Sequence, residues 1–166
     1  MLCRRLVLFT LVRRLARIPQ VLLIFTPSKQ YTQSLIQSIY EKSKEIDEAI
    51  YRIECETLFE EMKLAQINQK LESYICSYNL LNVLIVENIA SSLWDIEEID
   101  LFLKFYVTRY TNQSLIILWN TENSNNYDEN SFNFILYSRL NYMLKNQACI
   151  IDFTDENYWK ELQFFE

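Results

Sequence analysis

The chain has 166 residues, of which 50% are hydrophobic and 23% charged, as is typical of a single folded domain with a substantial core. It contains no glycine and no histidine. Without glycine it cannot form the glycine-rich loops that cradle phosphates, and without histidine it cannot use Ser-His-Asp or Cys-His catalysis or an HExxH zinc site. The sequence therefore favours a binding or assembly protein over an enzyme, and we expect no catalytic residue, metal or cofactor.

Charge is unevenly distributed along the chain. Residues 1–40 hold six of the 16 basic residues and none of the 22 acidic ones, so they carry +6, and the rest of the chain carries 10 − 22 = −12. A cluster of arginines can neutralise several phosphates on an otherwise acidic chain. We predict that five arginines near the start of the chain bind nucleic acid: Arg4, Arg5, Arg13, Arg14 and Arg17.

Residues 1–20 form a basic segment ahead of the domain that we predict for residues 21–166. Arg13 and Arg14 interrupt its apolar runs, which excludes a membrane span and argues against a signal peptide. Like a mitochondrial presequence, the segment is rich in arginine and free of acid, but it is poor in serine. Two interpretations stay open: a first helix or strand of the domain, or a targeting segment.

From Gln20 onward, apolar runs of strand length alternate with patterns of helical spacing. We predict a helix that contains Tyr31 to Tyr40, one long helix through Leu58 and Ile75, and helices over 95–110 and 132–144. Because the strands alternate with helices, we expect βαβ units in a single α/β domain, with a parallel sheet covered by helices on both faces. The predicted strands are Val21–Phe25, Ile50–Cys55, Val83–Val86, Leu115–Trp119 and Ala148–Phe153.

Without glycine, other residues must adopt the left-handed conformation that ends many helices, and asparagine tolerates it best. We expect Asn79, Asn112 and Asn146 to do so. The four cysteines lack CxxC spacing, so they indicate free thiols and a reducing compartment rather than a zinc or redox motif.

Polar residues end each predicted strand. In an open parallel sheet, ligands bind beyond the carboxyl ends of the strands. Two carboxylates there, above all Glu54 and Glu87, could hold Mg²⁺ or act as an acid–base pair. The alternative is that such residues only end buried strands and cap the next helix. The residues concerned are Thr26, Glu54, Glu87, Asn120 and Asp152.

The order of elements from Val21 to Asn120 resembles the second half of a RecA-type ATPase core, in particular the eukaryotic recombinase paralogues. Residues 21–31 are similar to the strand that follows the P-loop helix in that family. Residues 82–94 (NVLIVENIASSLW) resemble its Walker B segment, with Glu87 where the family usually has aspartate and Trp94 at the aromatic position. Residues 115–121 look like the next core strand.

The P-loop of that family is absent from this sequence. The pattern therefore looks like a truncated, degenerate RecA-like paralogue, similar to the non-catalytic subunits of the yeast Shu complex. The resemblance implies an accessory role in homologous recombination and DNA repair in the nucleus, without ATP binding. The chain would pair with a second RecA-like subunit, bind single-stranded or forked DNA, and promote assembly of the recombinase filament.

The acidic, aromatic C-terminus is loosely similar to the end of such a subunit, and we expect Trp159, Phe164 and Phe165 to contact the partner. Two alternatives remain for the function. One is a subunit of another catalytically silent RecA-like assembly, such as the elongator ring that acts on transfer RNA, and the other is a metal enzyme that uses Glu54 and Glu87. The location would be mitochondrial if residues 1–20 are a presequence.

Overall fold

The five predicted strands form one parallel sheet. A computed structural model describes residues 21–45, 50–89, 94–110, 113–120, 142 and 148–154. The strands are β1 (Val21–Thr26), β2 (Ile50–Glu54), β3 (Val83–Glu87), β4 (Ser114–Asn120) and β5 (Cys149–Asp152). They pair in the order β2-β3-β4-β1-β5, and every pairing is parallel. The expectation of an α/β fold with a parallel sheet is confirmed.

Helices cover both faces of this sheet. Helix α1 (Lys29–Glu45) packs on one face through Leu35, Ile36 and Ile39, while residues of the other helices pack on the opposite face. The helix predicted for residues 132–144 lies outside the described residues, apart from residue 142. The described helices are α1 (Lys29–Glu45), α2 (Cys55–Ile67), α3 (Leu71–Ser77), which a 3₁₀ turn (Tyr78–Leu80) follows, and α4 (Ile96–Tyr110).

The core lies on both sides of the central strands. Every residue of β3 and β4 is buried, because helices cover both faces; such strands read as continuous apolar runs rather than as alternating ones. On the face opposite α1, the ring centroid of Trp94 lies 4.9 Å from that of Phe59 and 5.0 Å from that of Phe102. These aromatic contacts join α2 to α4.

The long helix predicted through Leu58 and Ile75 is in fact two helices. Gln69 has a left-handed φ of 57°, and the amide of Lys70 donates to the carbonyl of Ala65 at 2.7 Å, which is the hydrogen bond of a helix C-cap. The apolar residues on either side keep a helical spacing, so periodicity does not reveal the break.

The asparagines predicted to end helices do not account for this break. The prediction of a left-handed cap at Asn79 is wrong, since this residue lies inside the 3₁₀ turn. Asn112 and Asn146 lie outside the described residues. Besides Gln69, the left-handed conformation occurs in the described part of the chain at Asn88, with a φ of 57°, just after a strand rather than a helix.

Helix α4 begins with a reciprocal cap. The amide of Glu98 donates to Asp95 Oδ1 at 2.7 Å, and the amide of Asp95 donates to Glu98 Oε2 at 3.1 Å, as in a capping box. Lys63 of α2 binds the carboxyl group of Glu98 at 2.8 Å. Ile96, the first residue of this helix, is 52% exposed.

A buried arginine ties the amino edge of the sheet together. Arg109 of α4 is 1% exposed, and its guanidinium donates to the carbonyl of Ser114 at 2.9 and 3.3 Å and to the carbonyl of Tyr78. Burial lowers its pKa to about 10, so it stays charged at neutral pH. Arg109 thus joins the 3₁₀ turn to the start of β4 through backbone carbonyls.

Candidate functional site at the carboxyl edge of the sheet

Four of the five predicted strand-end residues lie on one face of the carboxyl edge. Alternate residues of a strand point to opposite faces, and the even-numbered positions before Thr26 and Asn120 belong to the core beneath α1. The register aligns Thr26 with Asn120, and Glu54 with Glu87. Asp152 aligns with Phe25 and therefore points to the other face.

The turn from β1 to α1 connects a strand to a helix at this edge, as a P-loop does in nucleotide-binding proteins. Here only Pro27 and Ser28 separate the two elements, far fewer residues than the GxxxxGK[ST] loop supplies. Ser28 caps the helix: its Oγ accepts from the amide of Tyr31 at 3.2 Å, and its carbonyl accepts from the amide of Thr32 at 3.0 Å.

Two buried threonines close the space beneath this turn. The hydroxyls of Thr26 and Thr32 lie 2.6 Å apart and share a hydrogen bond, and the Thr32 hydroxyl is also 3.1 Å from the Ser28 carbonyl. An anion binds a helix N-terminus through free backbone N–H groups. In this chain the amide of Tyr31 is already bonded to Ser28, and the turn is too short to wrap a phosphate.

Glu87 is the buried carboxyl group of the site. Its side chain is 8% exposed, and its Oε1 lies 3.6 Å from Nε of Arg52, whose side chain is 55% exposed. Burial raises the pKa of Glu87, with a further rise from Glu54, while Arg52 and Lys29 act in the opposite direction. The carboxyl group therefore has a cation from its own chain beside it.

The described residues contain no group of three His, Cys, Asp or Glu side chains that could hold a metal ion. Glu54 and Glu87 come from adjacent, aligned strands, but the cation at Glu87 is the guanidinium of Arg52. In the same part of the chain, no helix is both long and apolar enough to cross a membrane.

The residues predicted to bind DNA or a partner cannot be placed in this site. The arginines predicted to bind nucleic acid lie outside the described residues, as do Trp159, Phe164 and Phe165. Sequence reasoning missed Arg52, because its contact with Glu87 depends on strand register. It also missed Ser28, although a serine just before a helical pattern is a recognisable N-cap signal.

No protein-family model and no curated protein matches the sequence, but solved structures are similar to this fold. DnaA from Aquifex aeolicus, bound to AMPPCP, matches 88% of this chain with 43% of its own, at a TM-score of 0.63 and 14% identity. The replication initiator DnaA bound to AMPPCP and single-stranded DNA matches 91% of this chain with 45% of its own, at a TM-score of 0.66 and 13% identity. The DnaC helicase loader matches 89% of this chain with 86% of its own, at a TM-score of 0.62 and 18% identity.

This chain shares the overall α/β fold of these structures. The chain spans less than half the length of these two DnaA structures, but it corresponds to most of the DnaC chain. At these identities the similarity concerns the fold alone.

The expectation of a RecA-like recombinase paralogue related to the Shu complex is wrong, because the structures that match are replication initiators and helicase loaders. The inferred role in homologous recombination is wrong for the same reason. The error has a physical cause: many parallel α/β folds share an alternation of strands and helices, and the sequence does not reveal strand order. β1 lies between β4 and β5 and leads directly into α1, an arrangement that the order of elements along the chain does not reveal.

Proposed function

We propose that this chain is a non-enzymatic, nucleotide-independent module that acts in the initiation of DNA replication or in helicase loading. Two features support the proposal. The fold is shared with DnaA and with the DnaC helicase loader, and the position where such a fold would bind phosphates is closed by Pro27, Ser28 and the Thr26–Thr32 hydrogen bond. The inference that the chain acts without nucleotide rests on this short turn between β1 and α1.

Glu87 supports the same conclusion. A carboxylate at the end of a buried strand could help to hold a Mg²⁺ ion that bridges phosphates. Here Arg52 lies beside that carboxylate, and a second cation would be repelled by the guanidinium. The chain thus supplies a cation of its own beside Glu87.

Contact with single-stranded DNA is the second part of the proposal. One matching DnaA structure is bound to single-stranded DNA, and the chain as a whole carries a net charge of −6. Phosphates would be repelled by most of this surface. The contact therefore falls to the arginines of residues 1–20, a segment that contains no acidic residue.

The test is fluorescence anisotropy of a labelled single-stranded oligonucleotide with the full chain, over a range of salt concentrations and with or without Mg-ATP. We expect weak binding that Mg-ATP does not change. Charge reversal in the variant Arg13→Glu/Arg14→Glu/Arg17→Glu should weaken binding and flatten the dependence of log affinity on log salt by about two units, since each phosphate contact on a single strand contributes roughly 0.7.

A matched control reverses three exposed lysines of the described helices and turns, Lys44, Lys70 and Lys104, and should leave the salt slope unchanged. Equal effects of the two triple variants would show that net charge alone governs binding. No binding at low salt would contradict the DNA contact. Saturable binding of a fluorescent ATP analogue that Glu87→Ala abolishes would contradict nucleotide independence.

The location of the protein in the cell stays a prediction, and so does the contact of Trp159, Phe164 and Phe165 with a partner. The nucleus, with the mitochondrion as the alternative, rests on sequence alone. A fluorescent fusion of residues 1–20 distinguishes the two, because import into mitochondria would identify the segment as a presequence.

A further inference from the structure

We propose that β2 is a self-complementary edge strand through which two copies of this chain pair in antiparallel orientation. The inference goes beyond the proposed function, because it concerns how the chain assembles and uses neither nucleotide nor DNA. It rests on the exposure of β2, on the order of its charges, and on which residues of the two paired strands lie opposite each other on the same face of the sheet.

Among the described residues, no strand pairs with the outer edge of β2. In the described sheet β2 pairs with β3 alone and ends the strand order. Its outward side chains are accessible: Tyr51 is 50% exposed, the Arg52 side chain is 55% exposed, and Glu54 is exposed. An open edge carries unpaired backbone N–H and C=O groups that another strand can bind.

The charges on this edge select the partner strand. Arg52 and Glu54 lie two residues apart and therefore on the same face of the sheet. Antiparallel pairing centred on Ile53 sets Arg52 of each copy opposite Glu54 of the other. Two opposite-charge cross-strand pairs result, and such pairs stabilise a sheet.

Two other antiparallel registers are unfavourable. Antiparallel pairing centred on Arg52 sets the two arginines against each other, and pairing centred on Glu54 does the same for the glutamates. Parallel pairing through the same edge would turn one copy over, so it would not keep the two faces aligned. The order of charges on β2 therefore favours antiparallel pairing centred on Ile53 over pairing centred on Arg52 or Glu54.

The two-fold arrangement also preserves the contacts within each copy. Arg52 has five N–H donors, so it can remain beside Glu87 while it binds Glu54 of the second copy. On the opposite face Tyr51, whose ring centroid lies 6.4 Å from that of Tyr78, adds apolar surface at the junction. Such an interface is isologous, as in most homodimers, and it joins two five-stranded sheets into one.

Sedimentation velocity of the full chain over a wide range of concentrations tests the proposal. We expect a monomer–dimer equilibrium. Glu54→Arg should raise the dissociation constant about tenfold or more, because two favourable cross-strand pairs become like-charge pairs. Arg52→Glu/Glu54→Arg should restore dimerisation, because the exchanged charges again oppose each other and the arginine introduced on β2 would lie in register with Glu87.

Glu60→Arg is the matched control, since it makes the same charge change at an exposed position of α2 rather than of β2; it should dimerise like the unmodified chain. Circular dichroism of each variant confirms that it is folded. A chain that stays monomeric at the highest concentration, or a Glu54→Arg variant that dimerises as before, would overturn the proposal. So would a folded double variant that remains monomeric.

Discussion

The surroundings of Glu87 disfavour the charged form of its carboxyl group. The side chain is 8% exposed and its cation partner Arg52 is largely in solvent, where screening makes an ion pair weak. Burial is the largest influence on its pKa and raises it. The folded chain therefore holds the Glu87 proton more tightly than the unfolded chain does.

The first prediction concerns the pH dependence of stability. Where the folded state binds more protons than the unfolded state, the free energy of unfolding falls as pH rises. Stability from this group is fully present below the ordinary glutamate pKa of 4.5 and is lost as pH rises through the raised pKa. Glu87→Gln should thus be more stable than the unmodified chain at neutral pH, and the difference should vanish in acid. Urea unfolding at a series of pH values measures it.

Glu54→Gln is the control for this experiment. It removes the same charge from the adjacent strand at an exposed position in register with Glu87. We expect Glu54→Gln to change the free energy of unfolding less than Glu87→Gln does. If Glu87→Gln is less stable at neutral pH, then the Arg52 contact outweighs burial and the physical account of the site is wrong.

At the scale of elements, the junction of α2 and α3 shows how a chain without glycine ends a helix. Gln69 adopts a φ of 57°, a conformation that costs a residue with a Cβ atom about 1–2 kcal/mol. Its amide donates to the carbonyl of Gln66 at 3.0 Å, and the amide of Lys70 donates to that of Ala65 at 2.7 Å. These bonds offset the conformational cost.

Replacing Gln69 with glycine should therefore stabilise the protein. Glycine populates the left-handed region without steric cost, although it also gains freedom in the unfolded chain. The net gain expected in the free energy of unfolding is roughly 0.5–1 kcal/mol, measured by urea denaturation. Gln69→Ala keeps the Cβ atom and should bring no such gain. An equal gain in the free energy of unfolding from Gln69→Ala would show that helix propensity, and not the loss of the Cβ atom, causes the effect.

The sequence predicts the strands well and their arrangement poorly. Val83–Val86 and Leu115–Trp119 are recognisable because strands buried on both faces are apolar throughout. Strand order depends on contacts between distant segments, and so does the pairing of Arg52 with Glu87. Neither leaves a local pattern. The break at Gln69 was missed for a different reason: its hydrogen bonds are formed by backbone groups, which every residue type carries.

At the scale of the whole molecule, the two parts of the core share the same three strands. Alternate residues of β1, β3 and β4 belong to the cluster beneath α1, and the residues between them belong to the cluster beneath α2 and α4. Opening any of these strands therefore disrupts the packing on both faces at once. The outer strands β2 and β5 have several exposed or half-buried residues, so they can open at lower cost.

The last prediction follows from this arrangement and concerns hydrogen exchange. Amides in the centre of a cooperative core exchange only through large-scale opening, whereas edge strands open locally. In dilute protein, amides of β1, β3 and β4 should exchange roughly a hundredfold more slowly than those of β2 and β5, which corresponds to a few kcal/mol in opening free energy. Exchange followed by mass spectrometry on peptides from each strand measures the ratio. Equal protection of all five strands would mean that the sheet opens as one unit. If β2 alone gains protection as the protein concentration rises, its edge is the surface that the second copy covers.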